Sequence, residues 1–227
     1  MIKNKRLTIT LVVYCILFYG FWTVFELLIK NRLLALTGNN DVLMQFIRSG
    51  IIKNLVWTVP AMILVKKFEG DMYISLKEMF TTKVKFLNIL PIFLICIVYV
   101  VIAALKNGGL AIADSFGWSH IIIVLFVGIT EEMVFRGWLL NGTLKNADTK
   151  LKQWVAIGIN AVMFLCIHFP IWIHDGVFFV NFQGFAFVGI IILSCIFSWL
   201  FVKTKNISVP VALHMLYDLL IFMLIGG

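Results

Sequence analysis

Three short stretches place ionisable or aromatic side chains one helical turn apart within apolar surroundings: Thr130-Glu131-Glu132-Met133-Val134-Phe135-Arg136, Phe164-Leu165-Cys166-Ile167-His168 and His214-Met215-Leu216-Tyr217-Asp218. On a helix Glu132 and Arg136 stand at i and i+4, the spacing of an ion pair on one face. Glu131 lies about 100° further round, free to point at something else. Two adjacent carboxylates repel when both are charged and unpaired. The arrangement makes chemical sense if Arg136 holds Glu132 ionised while Glu131 faces a cavity as a general base. A carboxylate one turn from an imidazole, as in His214 and Asp218, fixes its tautomer and supports its protonated form. Phe164, one turn before His168 on the same face, would wall an apolar site beside it. Each pair alone also reads as a staple between helices. A staple leaves unexplained why Glu131, His168 and His214 all fall near mid-membrane on nearby helices.

The elements that carry these residues are membrane helices. The chain has 227 residues, is 62% hydrophobic and only 13% charged, and has a mean hydropathy of +1.02. Soluble domains carry about 25% charged residues, so a water-soluble globule is excluded, as are disordered, fibrous and disulfide-scaffold classes. Runs long enough to span a bilayer, roughly 17–25 residues, are read at 7–29, 86–105, 120–140, 153–169, 177–202 and 207–225, with a shorter run at 51–65. The expected fold is all-α, a polytopic transmembrane helix bundle of about seven spanning helices, with six to eight the range. Residues 1–118 supply N-terminal membrane helices and an inner-surface amphipathic segment between Lys66 and Lys85; residues 119–227 carry the chemistry.

The net charge of +8 reads topologically. Lys and Arg collect in cytoplasmic loops, and an N-terminus inside the cell puts Lys3, Lys5, Arg6 and the lysines of 66–85, 145–152 and 203–205 on the inner side. Lys30, Arg32, Arg48, Lys53 and Lys106 then fall outside or near it, and Arg136 remains within a span. The chain is read as a multi-pass protein of the cell membrane with a cytoplasmic N-terminus. Its richness in Lys, Ile, Asn and Phe is in keeping with a bacterial source. The basic start and first apolar run resemble a signal peptide without a cleavage site, so the first helix is read as uncleaved. No basic cluster with interleaved aromatics occurs, so nucleic acid is not expected as a partner. The four cysteines, Cys15, Cys96, Cys166 and Cys195, lack paired spacing and read as small buried hydrophobes.

Other chemistries find less support. There is no H-E-x-x-H and no G-x-S-x-G, and an aspartyl mechanism wants two intramembrane Asp where only Asp218 occurs. Glu131, His168 and His214 also form a zinc ligand set with an open fourth position, so zinc stays open as an alternative to a cofactor-free site. Glu26 on the first helix reads as a helix contact or cavity lining. With about 1.5 Å per residue, Glu131 and His214 lie about 10–14 Å from the inner boundary and His168 about 22 Å. The fifth helix must then begin later than drawn, or tilt.

The order E-E-x-x-x-R, F-x-x-x-H and H-x-x-x-D resembles the CPBP family, the CAAX proteases and bacteriocin-processing (Abi) membrane proteins, over roughly residues 120–225. The resemblance implies intramembrane peptide-bond hydrolysis by a glutamate-activated water. Carried onto this chain, Glu131 is the base and His168 helps hold the water. His214 and Asp218 stabilise the oxyanion, and Glu132, Arg136 and Phe164 support the site. Many family members have Asn where this chain has Asp218. An ionised Asp cannot stabilise an oxyanion directly, whereas a neutral Asp or a charged His214 beside it can. The expected partner is a membrane-associated peptide or protein substrate, such as a leader, bacteriocin or signalling peptide, in the lipid bilayer. Two other classes compete: a non-catalytic bacteriocin immunity protein, and a proton-coupled carrier, against which the lack of paired inverted repeats speaks. Sequence leaves the oligomeric state undefined.

Overall fold

A computed structural model describes residues 4–226; Lys3 of the basic start lies outside the described residues. Among these the chain is all helix, in the order α1 Lys5–Leu36, α2 Asp41–Lys67, α3 Leu76–Thr81, α4 Leu90–Lys106, α5 Trp118–Leu144, α6 Lys150–His174, α7 Phe178–Gln183, α8 Ala186–Thr204 and α9 Ser208–Leu224. Five of these (α1, α2, α5, α6, α8) are long and apolar enough to cross a membrane, and α4 and α9 are shorter apolar helices of 17 residues each. The seven apolar helices are those expected from sequence.

Helix α1 shows why they form. Asn4 caps it, its side chain accepting from the Arg6 and Leu7 amides. Leu7, Leu11, Tyr14, Phe18 and Trp22 recur at helical spacing and are buried, while Ile16 and Leu17 on the other side are each 66% exposed. An outward face of large aliphatic side chains is untenable in water and natural in lipid. Contacts fix the helix directions. Tyr14 reaches the Trp57 carbonyl and Glu26 faces Arg48, so α1 and α2 are antiparallel. Arg136 meets Ser194 and Ser198, which ties α5 to α8. Helix α5 sits among α2, α6, α8 and α9. Gly128 lets α9 approach: a Cβ there would lie 2.6 Å from Met215 Cγ, the close packing small residues permit between membrane helices.

Three sequence readings need correction. Helix α2 begins at Asp41, not at Ile51, so it includes Arg48 as well as Lys53; the two residues, read as lying on the outer side or near it, are both buried inside the bundle. The predicted run 177–202 divides into α7 and α8, with Phe185 between them in the left-handed region at φ 58°. Helix α6 begins earlier than drawn, at Lys150, not later.

The amphipathic segment between Lys66 and Lys85 does contain a helix, α3, started by a reciprocal cap between Ser75 and Glu78. Its Met72, Ile74 and Met79 are buried against protein. The Asn141 side chain pairs with both backbone groups of Ile74, at 2.9 Å each. Asn206 donates to the Thr82 carbonyl and the Ile207 amide to Met79. The start of α9 is therefore covered by the 72–82 segment and lies inside the fold.

Candidate active site

Glu131 and Glu132 end the regular part of α5; from Met133 to Leu140 its turns widen to i→i+5 bonds. Such turns, frequent at functional sites, accompany a fully buried Arg136. Its guanidinium donates from Nη1 to Glu132 Oε1 (3.0 Å), from Nε to Ser198 Oγ (3.2 Å), and from Nη2 to the Ser194 carbonyl and Oγ (2.9 and 2.5 Å). Phe164 and Phe197 cover its faces, 4.7 and 5.4 Å from the guanidinium carbon to the ring centroids. Ser198 in turn donates to Asn160 Oδ1, and Asn160 donates to the Phe135 carbonyl. The expected Glu132–Arg136 pair is present and is the hub of a network across α5, α6 and α8.

Glu132 Oε1 also meets His214 Nδ1 at 2.9 Å, and His214 Nε2 stands 3.5 Å from Asp218 Oδ2. With a carboxylate at each ring nitrogen, both positions are asked to donate. The ring stacks on Phe197 (4.9 Å, 22°) and packs edge-on to Phe164 at 5.9 Å.

His168 sits where α6 breaks, at Ile167–His168, just before Pro170, which has no N–H to continue the ladder. Its Nδ1 lies 3.0 Å from the Phe164 carbonyl and its ring 5.3 Å from the Phe164 ring. Phe164 thus touches both histidines. Glu131 is 7% exposed and its Oε1 lies 3.4 Å from Lys53 Nζ.

Counted along the helices the depths still differ, and it is the packing of Phe164 on both His168 and His214 that brings the site residues to one level. From the ends of their helices, Glu131 is about 20 Å from Leu144 and His168 about 27 Å from Lys150 at 1.5 Å per residue. His214 is only six residues into α9, but α9 starts inside the fold.

Lys53, Ser194, Ser198 and Asn160 were missed in the sequence. Ser194 and Ser198 stand at i and i+4 in an apolar helix, a polar stripe that marks an inward face and was readable. Lys53 had no local signal; its partner is 78 residues away. Glu26 is a helix contact, facing Arg48 on α2 with Lys30 3.5 Å away. All four cysteines are free. The zinc set does not fit: among the described residues no three His, Cys, Asp or Glu side chains converge as a metal cage. Glu131 faces Lys53, and Glu132 is taken by Arg136 and His214.

Residues 113–220 match the family described as type II CAAX prenyl endopeptidase Rce1-like, a member of the CPBP group. Over these residues the chain is similar to that family. It contains all three motifs read from the sequence, and the family it matches is described as one of endopeptidases. Comparison with curated proteins and with solved structures finds no match.

Proposed function

We propose that the chain is an intramembrane endopeptidase that hydrolyses a peptide bond in a membrane-associated peptide or protein with a water activated by Glu131. The observation that carries this reading is the unequal treatment of two neighbouring carboxylates. Glu132 is fully buried and held by Arg136 and His214; Glu131 is held by neither and retains slight exposure. A fixed carboxylate suits support, and a less constrained one beside an imidazole suits proton transfer.

Water held between Glu131 and His168 attacks the scissile carbonyl carbon and gives its proton to Glu131. The carbonyl π pair moves onto the oxygen, and the oxyanion forms against the positive charge of a protonated His214, whose ring Glu132 and Asp218 orient. The proton then passes from Glu131 to the amide nitrogen as the C–N bond breaks, leaving a carboxylic acid and an amine. This arrangement gives Asp218 the role of orienting His214 rather than touching the oxyanion. Phe164 walls the site, and the helices of residues 1–118 support the core in 119–227. With the N-terminus cytoplasmic, the lysine-rich ends of the helices face the cell interior. The substrate we favour is a secreted peptide's leader, a bacteriocin or a signalling peptide.

The test is Glu131→Gln in proteoliposomes, with a panel of membrane-anchored peptides followed by mass spectrometry. Cleavage is expected to fall by about 100-fold or more. Turnover undiminished in that variant overturns the glutamate mechanism. Bacteriocin protection that survives Glu131→Ala, His168→Ala and His214→Ala would instead support a non-catalytic immunity role.

A further inference from the structure

We propose that Lys53, which lies outside the Rce1-like segment, is the positioning residue for Glu131. The inference rests on the endopeptidase reading and deepens it, because it makes the N-terminal half part of the working site.

Lys53 is 4% exposed, and its Nζ stands 3.4 Å from Glu131 Oε1. The same ammonium lies 4.6 Å from the Trp22 ring and 4.9 Å from the Trp57 ring. A buried ammonium needs charge and π-electron density around it, and this cage supplies both. The cage is itself fixed. The two indoles meet edge-to-face at 4.7 Å, Phe18 packs on Trp57 at 4.6 Å, and the Trp57 carbonyl accepts from Tyr14 Oη at 3.0 Å. The Trp22 indole N–H donates to the Ile167 carbonyl at 3.0 Å, one residue before His168. One aromatic pair from α1 and α2 thus sets both the cation beside the base and the backbone beside the water-holding histidine.

The residue type matters. An ammonium is a point charge and meets a carboxylate through one oxygen, whereas a guanidinium forks onto two. A one-sided contact at Oε1 orients the Glu131 carboxylate and leaves its other oxygen for water. It also keeps a positive charge nearby while the negative charge travels from the carboxylate to the substrate oxygen.

The experiment compares wild type, Lys53→Met and Lys53→Arg in the proteoliposome cleavage assay, together with a thermal double-mutant cycle between Lys53→Met and Glu131→Gln. Lys53→Met is expected to lower kcat by about 100-fold, as misplacement of a reacting group does, with KM within about threefold of wild type. Lys53→Arg, which keeps the charge but can fork onto both carboxylate oxygens, is expected to recover only a small part of kcat. The cycle is expected to be non-additive. Wild-type kcat in folded Lys53→Met overturns the inference, as does a loss seen only in KM, or an additive cycle. Where Lys53→Met does not fold, Lys53→Gln is measured with the same expectation. A wild-type protein that cleaves nothing would sink the endopeptidase reading; the cycle then decides the Lys53–Glu131 pairing on its own.

Discussion

Arg136 and Lys53 each bring a cation to one of two adjacent glutamates on α5, and they hold them in opposite ways. Arg136 spends its planar fork on four acceptors from α5 and α8, at 2.5–3.2 Å, with no exposure. Lys53 makes a single contact of 3.4 Å and otherwise faces indole rings. Directional hydrogen bonds leave the first pair little freedom, while a point charge in an aromatic cage tolerates small movements. The contrast implies a division of labour between neighbours in sequence: a rigid anchor at Glu132 and a compliant partner for Glu131. A carboxylate that takes up and releases a proton during a reaction needs the second kind.

Breaking the rigid side is expected to have the largest effect. Arg136→Met removes every bond of the fork and leaves Glu132 buried with only His214 beside it. Loss of one partner of a buried, hydrogen-bonded pair costs about 3–5 kcal/mol. Thermal unfolding in detergent is expected to show it as a large drop in midpoint. Arg136→Lys is expected to recover only a fraction, because an ammonium cannot span Glu132, Ser194 and Ser198 together. An unchanged midpoint in Arg136→Met would remove Arg136 as the anchor.

The Glu26–Arg48 pair between α1 and α2 sharpens the comparison at intermediate size. Glu26 faces Arg48, but Lys30 stands 3.5 Å from its other oxygen and also reaches Asp175 at 3.1 Å. Arg48→Met leaves Glu26 with a second cation at hand. The expected loss is about 1–3 kcal/mol, clearly below that of Arg136→Met in the same assay. Adding Lys30→Met should then cost more than Lys30→Met does alone, because the two cations share one carboxylate. Equal losses for Arg48→Met and Arg136→Met would mean that Lys30 does not share the charge.

These pairs also mark what a linear reading can reach. Glu132–Arg136 and His214–Asp218 are i and i+4, so helical geometry alone brings them together, and seven apolar stretches in a chain with few charges make the bundle plain. Arg48 and Lys53 read as lying on the outer side or near it because a count of charges along the chain treats each buried cation as a penalty. It cannot see that Glu26 and Glu131 on other helices, and the Trp22 and Trp57 rings, offset that penalty. The count of residues to His214 meets a related difficulty. Counting residues from a helix start assumes that the start lies at the membrane surface, and here the 72–82 segment folds over it through Asn141 and Asn206. The helices were legible because their signal is local; the placement of Lys53 depends on contacts distant in sequence.

That covering segment carries the smallest expected effect, at its solvent-facing end. Glu78 accepts from the Ser75 amide at 2.8 Å while its own amide donates to Ser75 Oγ at 3.1 Å. The hydrogen bond from the Ser75 backbone holds the Glu78 carboxyl below the usual carboxylate range. A carboxylate whose folded value is depressed stabilises the folded form above its unfolded value, about 4.3 for Glu. The contribution fades as pH falls through the lower, folded value. Hydrogen exchange of the Ser75 amide, corrected for its intrinsic rate, is therefore expected to show protection that is constant from neutral pH down to about 5 and declines below that. Glu78→Gln is expected to give lower protection that stays flat across the same range, since a neutral amide does not titrate. Because the pair is exposed, the global unfolding midpoint should move far less than in either buried-cation variant. Constant protection in wild type down to pH 3 would mean that the cap does not depend on the charge of Glu78. The cover over α9 would then be held by Asn141, Asn206 and the buried Met72 and Met79 alone.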